Sequence, residues 1–223
     1  MKKVLVLFAC WMITGNLFPS DCSYTIPQSK VDSTVLSHYT PYIKEELKDE
    51  LALQDDERTH RFTREYGYSF FKMAQGDFSF TPPPEFLQEI GALVCEALGH
   101  EPVEFTNIIL SNYDEDFSLE PHVDINEEDN SKDFDFYFDE RVYGIIIEPD
   151  LSGHLYFVKW EEGLVPPLNL EPIYSLSEEA GTVFCLQDEL RKFPFFHGVS
   201  KVSNHRISIT FRTVQEMGSS TLQ

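Results

Sequence analysis

The chain has 223 residues, of which 42% are hydrophobic and 14% aromatic, including 19 Phe. It is long and apolar enough for one folded domain with a sizeable core, which excludes an intrinsically disordered chain. The formal net charge of −21 argues against tight non-specific binding to nucleic acid, because that binding depends on Lys and Arg neutralising phosphates. Twelve of the 38 acidic residues lie at positions 114–140, where Lys132 is the only basic residue, so a basic groove elsewhere is compatible with this charge.

The N-terminal residues have the order of a targeting segment. Lys2 and Lys3 precede an unbroken apolar run at 4–13, which is followed by small and polar residues. That order is typical of a secretory signal peptide, and the run is shorter than the roughly 20 residues that a membrane-spanning helix needs. The alternatives are a buried N-terminal strand or a mis-set start codon.

The four Cys residues stand at positions 10, 22, 95 and 185. No pair of them has the spacing of a metal site or of a disulfide framework, so they add no evidence for export. Cys95 lies in an apolar helical pattern and Cys185 in an apolar strand pattern. We predict that both are small core residues.

The first half of the chain is predicted to contain two helices and a pair of short strands. Residues 21–40 carry Ser, Thr and Pro and are predicted as a loop. Residues 42–53 place apolar side chains at helical spacing among Lys and Glu, which predicts a short amphipathic helix. The aromatic-rich residues 61–80 predict short strands with a turn. After three prolines at 82–84, an apolar face at helical spacing predicts a helix over 85–98.

From residue 103 onward the apolar pattern changes to that of strands. Residues 131–137 alternate acids with aromatics, which is typical of an exposed loop or an edge strand. Several short strands without intervening helices predict an antiparallel sandwich or barrel. The predicted strands are 103–111, 142–147, 154–159, 181–186 and 206–213.

The pair His122 and Asp124 is the first candidate for chemistry. His-x-Asp alone is a common pattern in a chain this rich in Asp, but on an extended segment residues i and i+2 point to the same face. The imidazole and the carboxylate can then bind one cation, while a third ligand comes from another strand. Two His and one carboxylate leave three octahedral positions open, which suits non-haem Fe(II) in oxygenases. Among the six other His residues, His197 precedes the final strand and is the candidate third ligand.

Two Arg residues on the predicted final strand, Arg206 and Arg212, are the second candidate. They are six residues apart, so they share one face of the strand. A buried cation is costly unless it is paired, and no acid of that strand can pair these two. A dicarboxylate cosubstrate is an attractive partner, because Arg binds a carboxylate through two parallel hydrogen bonds.

The order of these motifs resembles the AlkB-type family of Fe(II)/2-oxoglutarate dioxygenases over residues 61–214. The paired Arg residues are the most discriminating feature, since related prolyl-hydroxylase-like oxygenases usually show one basic residue there. The resemblance implies a mainly β (α+β) fold, a double-stranded β-helix or jelly-roll core with supporting N-terminal helices. The matching segments are Tyr66-Gly67-Tyr68, the prolines at 82–84 and the helix after them, residues 105–113, His122-Val123-Asp124, Ala180-Gly181-Thr182, His197-Gly198-Val199 and 206–212.

Carried over residue by residue, the resemblance implies that His122, Asp124 and His197 bind Fe(II), with 2-oxoglutarate and O2 as cosubstrates. It also implies that Arg206 pairs with the distal carboxylate of 2-oxoglutarate. Arg212 is then expected nearer the metal-binding end of the cosubstrate.

Two residues of the 105–113 segment are implied in cosubstrate binding. Tyr113 is expected to hydrogen-bond 2-oxoglutarate. The family usually has Asn two residues earlier, where this chain has Ser111. A Ser hydroxyl can still donate a hydrogen bond, although with a shorter reach.

The resemblance implies oxidative demethylation of alkylated nucleobases in DNA or RNA, on single strands or on flipped-out bases, by a monomer. The alternative is hydroxylation or demethylation of a protein, a basic one included, or of a small molecule, which both the charge and the N-terminus favour. A non-enzymatic binding module is a third reading, against which the complete ligand set and the paired Arg residues speak. Tyr66 and Tyr68 either cover the substrate or are core aromatics, and Glu127 is either a substrate-reading acid or part of a solvated loop.

These patterns predict four regions along the chain. They are a targeting segment at 1–24, N-terminal helices with a substrate lid at 25–100, a catalytic core at 101–215 and a tail at 216–223. The N-terminus favours a secretory route, whereas the family resemblance favours cytoplasm or nucleus. The final Leu222-Gln223 resembles the product end left by a viral 3C-like protease, which would make the chain the first product of a polyprotein.

Overall fold

The computed structural model describes residues 26–48, 54–56, 61–124, 136–162, 166–167 and 170–216. These residues form short strands, three α-helices and one 3-10 helix. In chain order they are β1 (Gln28–Lys30), α1 (Ser33–Glu46), β2 (Gln54–Asp56), β3 (Arg61–Tyr68), α2 (Phe70–Met73), β4 (Phe80–Thr81), α3 (Glu85–Ala97), β5 (Asn107–Tyr113), β6 (Leu119–His122), β7 (Phe136–Phe138), β8 (Val142–Glu148), β9 (Leu155–Lys159), β10 (Tyr174–Ser175), β11 (Thr182–Leu186), the 3-10 helix Asp188–Arg191, β12 (Phe195–Val199), β13 (Arg206–Arg212) and β14 (Val214–Glu216).

Two antiparallel sheets pack face to face. The larger sheet has the order β1-β11-β8-β13-β5-β3-β2, with β4 paired to β3, and the smaller has the order β10-β9-β12-β6. A two-stranded ribbon pairs β14 with β7. Two packed antiparallel sheets of this kind are a double-stranded β-helix, so the predicted mainly β, jelly-roll fold is confirmed.

Helices α1 and α3 cover the outer face of the larger sheet. Ile43 of α1 and Leu87, Ile90 and Val94 of α3 are fully buried there, and they share one core with the strand residues that point outward from the sandwich. Their spacing of three to four residues places them on one side of each helix. The helix predicted at 85–98 is therefore present and amphipathic, as the apolar spacing indicated.

The inner face of the larger sheet meets the smaller sheet and holds a mixed apolar and polar layer. Ile146 and Phe184 pack on Leu155 and Phe157 across the two sheets. Alternation along β13 sends its apolar side chains towards the helices and its polar ones inward. As a result four polar residues line the space between the sheets: Arg206, Ser208, Thr210 and Arg212.

An aspartate fastens the loop that leads into β13. The side chain of Asp150 accepts hydrogen bonds from the backbone N–H groups of Ser152, Gly153, Ser203 and Asn204. It thus joins the turn after β8 to the turn between β12 and β13. This junction sets where β13 begins relative to β12.

Helix α1 lies where the sequence predicted a loop. It spans Ser33–Glu46, whereas the prediction placed a loop at 21–40 and a helix at 42–53. Asp32 explains the difference, because its side chain accepts a hydrogen bond from the Thr34 N–H and caps the helix start. The Ser, Thr and Pro composition therefore marked a capped helix that tolerates Pro41 in its interior.

The strands predicted from residue 142 onward agree with the structure to within one residue. In the segment 61–80, predicted as short strands with a turn, the structure has β3 and β4 with the short helix α2 between them. The segment predicted at 103–111 is β5, which begins four residues later. Of the alternating segment at 131–137, the described part belongs to edge strand β7, in which Phe136 is buried. Cys95 and Cys185 are fully buried, as predicted.

The predicted boundary at residue 100 and the predicted N-terminal segment relate differently to the described residues. Residue 100 is the predicted boundary between the N-terminal region and the catalytic core. The larger sheet contains strands from both sides of this boundary. The apolar run at 4–13 lies outside the described residues and stays a prediction. Within the described part of the chain, no helix is long and apolar enough to cross a membrane.

Gly67, near the end of β3, adopts a left-handed backbone conformation in close contact with the chain that leads into β5. Its φ is +77°, and a Cβ there would lie 2.0 Å from the carbonyl oxygen of Thr106. We expect Gly67→Ala to lower the free energy of unfolding by more than about 2 kcal/mol, because left-handed strain of about 1–2 kcal/mol adds to the clash. Urea unfolding measures the change.

Gly76 provides the matched control. Its φ is +80°, and no heavy atom would lie within 4 Å of an added Cβ. Gly76→Ala should therefore cost only the left-handed strain of about 1–2 kcal/mol. Equal losses in the two variants would contradict a role for the close approach between Gly67 and Thr106.

Candidate metal centre and cosubstrate cavity

Three candidate metal ligands converge at one end of the smaller sheet. His197 of β12 lies directly opposite His122, the last residue of β6, and Asp124 follows two residues later. Their ligand atoms all lie within 4.8 Å of one another. The Nε2 atoms of His122 and His197 are each 3.9 Å from a carboxylate oxygen of Asp124.

Hydrogen bonds orient this trio. The Nδ1 of His122 lies 3.0 Å from the Glu120 carbonyl oxygen, and a carbonyl only accepts, so Nδ1 carries the proton and Nε2 keeps its lone pair. Metal-binding His residues are commonly fixed in this way by a backbone carbonyl. Arg212 donates to both carboxylate oxygens of Asp124 at 3.3–3.4 Å, which fixes the orientation of that carboxylate.

The protonation states are those that a metal site requires. Burial lowers the pKa of His122, and burial together with the charge of the neighbouring imidazole lowers the pKa of His197 to about 3. Burial alone would raise the pKa of Asp124, but Arg212 and the two His residues hold it below its usual range. Two neutral imidazoles and one carboxylate are therefore ready to bind a cation such as Fe(II) without first losing protons.

A cavity between the sheets leads away from these ligands. Its polar wall is formed by β5 and β13, where Tyr113 lies opposite Arg206 and Ser111 opposite Ser208. The apolar side chains of Leu119, Leu155 and Val199, on three strands of the smaller sheet, form the facing wall. The cavity is thus lined by two predicted metal ligands, His122 and His197, and by the predicted cosubstrate residues Ser111, Tyr113, Arg206 and Arg212. Asp124 is joined to this group through its contact with Arg212.

Both strand Arg residues have acidic partners from other segments. Arg206 binds Glu178, in the loop before β11, through two hydrogen bonds of 2.8 and 2.9 Å, and both side chains are almost fully buried. Arg212 binds Asp124. The predicted lack of an acidic partner held only for acids of the same strand, because the fold brings these partners from loops.

Arg61 at the start of β3 also lines the cavity, and it was not predicted from the sequence. Its Nη1 lies 3.3 Å from both the Ser111 and the Tyr113 hydroxyl oxygens. The available signal was the polar residues at alternate positions 61, 63 and 65 of this strand, since alternate residues share one face.

Comparison with known proteins identifies solved structures that have a similar fold. No protein-family model and no curated protein matches the sequence. Among solved structures, OsALKBH1 superposes with a TM-score of 0.59 at 12% identity, over 86% of this chain and 100% of that one. A prolyl hydroxylase from Trichoplax adhaerens, in complex with a hypoxia inducible factor peptide fragment, has a TM-score of 0.50 at 10% identity, over 84% and 81%.

A 2OG-Fe(II) oxygenase family oxidoreductase from Burkholderia pseudomallei is also similar, with a TM-score of 0.49 at 13% identity over 85% of this chain and 84% of that one. The chain shares the double-stranded β-helix fold of OsALKBH1 and of the Trichoplax adhaerens enzyme. At these identities the similarity concerns the fold alone.

Within this fold, the two candidate substrate tyrosines have different surroundings. Tyr66 is buried in the core beneath the helices, where its hydroxyl contacts Glu46 and Arg64. The structure therefore places Tyr66 among the core aromatics, one of the two positions that the sequence left open. The left-handed Gly67 interrupts the strand alternation, so Tyr68 does not follow Tyr66 into that core.

Tyr68 instead belongs to an aromatic cluster beside the metal centre. The cluster consists of Tyr68, Phe70, Phe136, Tyr137 and Phe138 with Met73 and Val214. The Arg212 guanidinium lies 5.3 Å from the centre of the Phe138 ring, so the residue that orients Asp124 also contacts this cluster. Glu127, the other predicted substrate residue, lies outside the described residues.

Proposed function

We propose that this protein is an Fe(II)/2-oxoglutarate-dependent oxygenase that demethylates alkylated nucleobases in DNA or RNA. The convergence of two neutral imidazoles and one carboxylate beside an Arg-lined cavity is the observation that carries the oxygenase proposal. Bound iron, 2-oxoglutarate and O2 would supply the oxidation: the cosubstrate becomes succinate and CO2, and a substrate methyl group is hydroxylated and lost as formaldehyde.

The chain's own residues would bind, orient and exclude water. His122, Asp124 and His197 would hold the iron, and Arg212 would fix the orientation of the Asp124 carboxylate. Ser111 and Tyr113 offer hydroxyl groups to an anionic cosubstrate. The apolar wall opposite them limits the access of water, which strengthens these electrostatic contacts.

Two features favour a nucleobase over other methylated substrates. The first is the pair of Arg residues on β13, by which the sequence resembles AlkB-type enzymes. The second is the aromatic cluster beside the metal centre, because bases stack on aromatic rings regardless of their sequence. Phe78 and Phe80, which contact Phe136 and Tyr68 of this cluster, are 38% and 43% exposed and present ring surface to solvent.

The second candidate substrate is a basic peptide or protein. The net charge of −21 attracts basic partners and repels polyanions. The Trichoplax adhaerens enzyme with the same fold binds a peptide fragment. A peptide hydroxylase or demethylase would use the same iron and cosubstrate residues, so the two candidates differ only in what enters the cavity mouth.

A coupled turnover assay separates these possibilities. The protein is supplied with Fe(II), ascorbate, 2-oxoglutarate and O2, and succinate and formaldehyde are measured with methylated single-stranded oligonucleotides and with methylated basic peptides. We expect oligonucleotides to stimulate succinate and formaldehyde formation in equal amounts, relative to the same oligonucleotides without methyl groups. Stimulation by peptides alone would overturn the nucleobase assignment. No succinate under any condition would overturn the oxygenase itself.

A further inference from the structure

The positive charge of Arg206 is neutralised within the protein, so Arg206 contributes little electrostatic attraction to a dicarboxylate. Its Nε and Nη2 donate to the Glu178 carboxylate, and its Nη1 donates to the Ser208 hydroxyl. Glu178 is fully buried and also accepts the Leu155 N–H at 2.8 Å. The pair is therefore neutral and fixed in place, and an incoming carboxylate near Arg206 would also meet the negative charge of Glu178.

In contrast to the neutral Arg206–Glu178 pair, Arg61 brings a positive charge to the wall of the cavity. Its Nη1 contacts two neutral hydroxyl groups, those of Ser111 and Tyr113. Its Nε is buried without a hydrogen-bond partner. Among the described residues, no carboxylate lies within ion-pair distance of Arg61. The carboxylate of Glu65 on the same strand interacts with Arg61 at longer range. A half-buried cation whose hydrogen-bond partners are both neutral hydroxyls is expected to attract a further anion.

The strand register places Arg61 at the same end of β5 as Arg206, six residues along β13 from the Arg212 that contacts the candidate metal ligand Asp124. Arg206 lies over the Tyr113 ring, with its guanidinium carbon 5.3 Å from the ring centre, while Arg61 contacts the Tyr113 hydroxyl. The two cations therefore flank one tyrosine. Arg61 also reaches Ser111, the position where the resembling family usually has a longer Asn side chain.

We infer that Arg61 is a cosubstrate-binding residue that supplies the positive charge for the distal carboxylate of 2-oxoglutarate. Ser111 and Tyr113 donate to the same carboxylate, and Glu178 positions Arg206 as a neutral neighbour. This inference rests on the proposed function. It names a residue of β3 that neither the metal motif nor the paired Arg residues of β13 would indicate.

Binding of two 2-oxo acids to the protein loaded with Mn(II) in place of iron tests this inference. Calorimetric titration compares 2-oxoglutarate with 2-oxopentanoate, in which a methyl group replaces the distal carboxylate. We expect Arg61→Met to weaken 2-oxoglutarate binding by about 10- to 100-fold, as expected for the loss of a charge-assisted hydrogen bond. Binding of 2-oxopentanoate should stay within about 3-fold, the change expected when no partner is lost. Arg61→Lys should recover part of the preference for the dicarboxylate.

Arg64→Met is the matched control. Arg64 lies on the same strand but contacts Tyr66 and Glu46 in the outer core, so its loss should leave the ratio of the two affinities unchanged. If Arg61→Met is not folded in a thermal scan, Arg61→Gln takes its place in the same titration. An unchanged ratio in the Arg61 variant, or an equal loss for both acids, would overturn the role of Arg61. Failure of the unaltered protein to bind either acid would instead overturn the proposed function, and this inference with it.

Discussion

Replacing Asp124 by Ala should abolish succinate formation and release the metal. Asp124 is the only carboxylate of the metal-binding trio, and its two oxygens face both imidazoles. Loss of a partner that merely orients a metal ligand usually costs about 10- to 100-fold in metal affinity. We therefore expect loss of the ligand itself to cost at least about 100-fold. Titration with Fe(II) under anaerobic conditions and succinate formation in air measure the two effects.

Asp124→Asn and Glu115→Ala separate the loss of a ligand from general damage. The Asn side chain keeps an oxygen for Arg212 but lacks the negative charge, so metal affinity should still fall steeply while the unfolding midpoint stays closer to that of the unaltered protein. Glu115 is an exposed acid of the preceding segment, and its loss should change neither property. Full turnover in Asp124→Ala would show that these three residues are not the metal centre.

The residues of the metal centre were predictable because they obey strand periodicity. His122 and Asp124 two residues apart, and Arg206 and Arg212 six residues apart, share faces for the same geometric reason. The buried strands and α3 were predictable from their apolar periods. Such patterns depend only on neighbouring positions, so a single sequence carries them in full.

The partners of these residues were not predictable, because the fold brings them from distant positions. Glu178 lies 28 residues before Arg206, in a loop without a repeating pattern. Arg61 lies 50 residues before Ser111 and meets it only through the pairing of β3 with β5. Tyr66 was ambiguous for a local reason: strand alternation groups it with Tyr68, but the left-handed Gly67 separates their surroundings.

Replacing Arg206 should destabilise the whole domain, apart from any effect on cosubstrate binding. The side chains of Arg206 and Glu178 are 2% and 0% exposed, so Arg206→Met leaves a buried carboxylate without its cation. Breaking a buried ion pair in this way usually costs about 3–5 kcal/mol, because the remaining charge is uncompensated. Urea unfolding of the metal-free protein should show a loss of this size.

The decisive measurement is the double variant Arg206→Met/Glu178→Gln. It removes both charges, and the Gln oxygen can still accept the Leu155 N–H that Glu178 accepts at 2.8 Å. We expect the double variant to be at least about 2 kcal/mol more stable than Arg206→Met, since the cost lies in the uncompensated charge and not in the loss of the pair. The neighbouring pair Lys30–Glu179 supplies the control cycle: its side chains are 52% and 69% exposed, so solvent screens the interaction and Lys30→Met with Glu179→Gln should show no resolvable coupling. Equal coupling in both cycles, or a double variant as unstable as Arg206→Met, would mean that Arg206 acts through packing against Tyr113 and not through its charge.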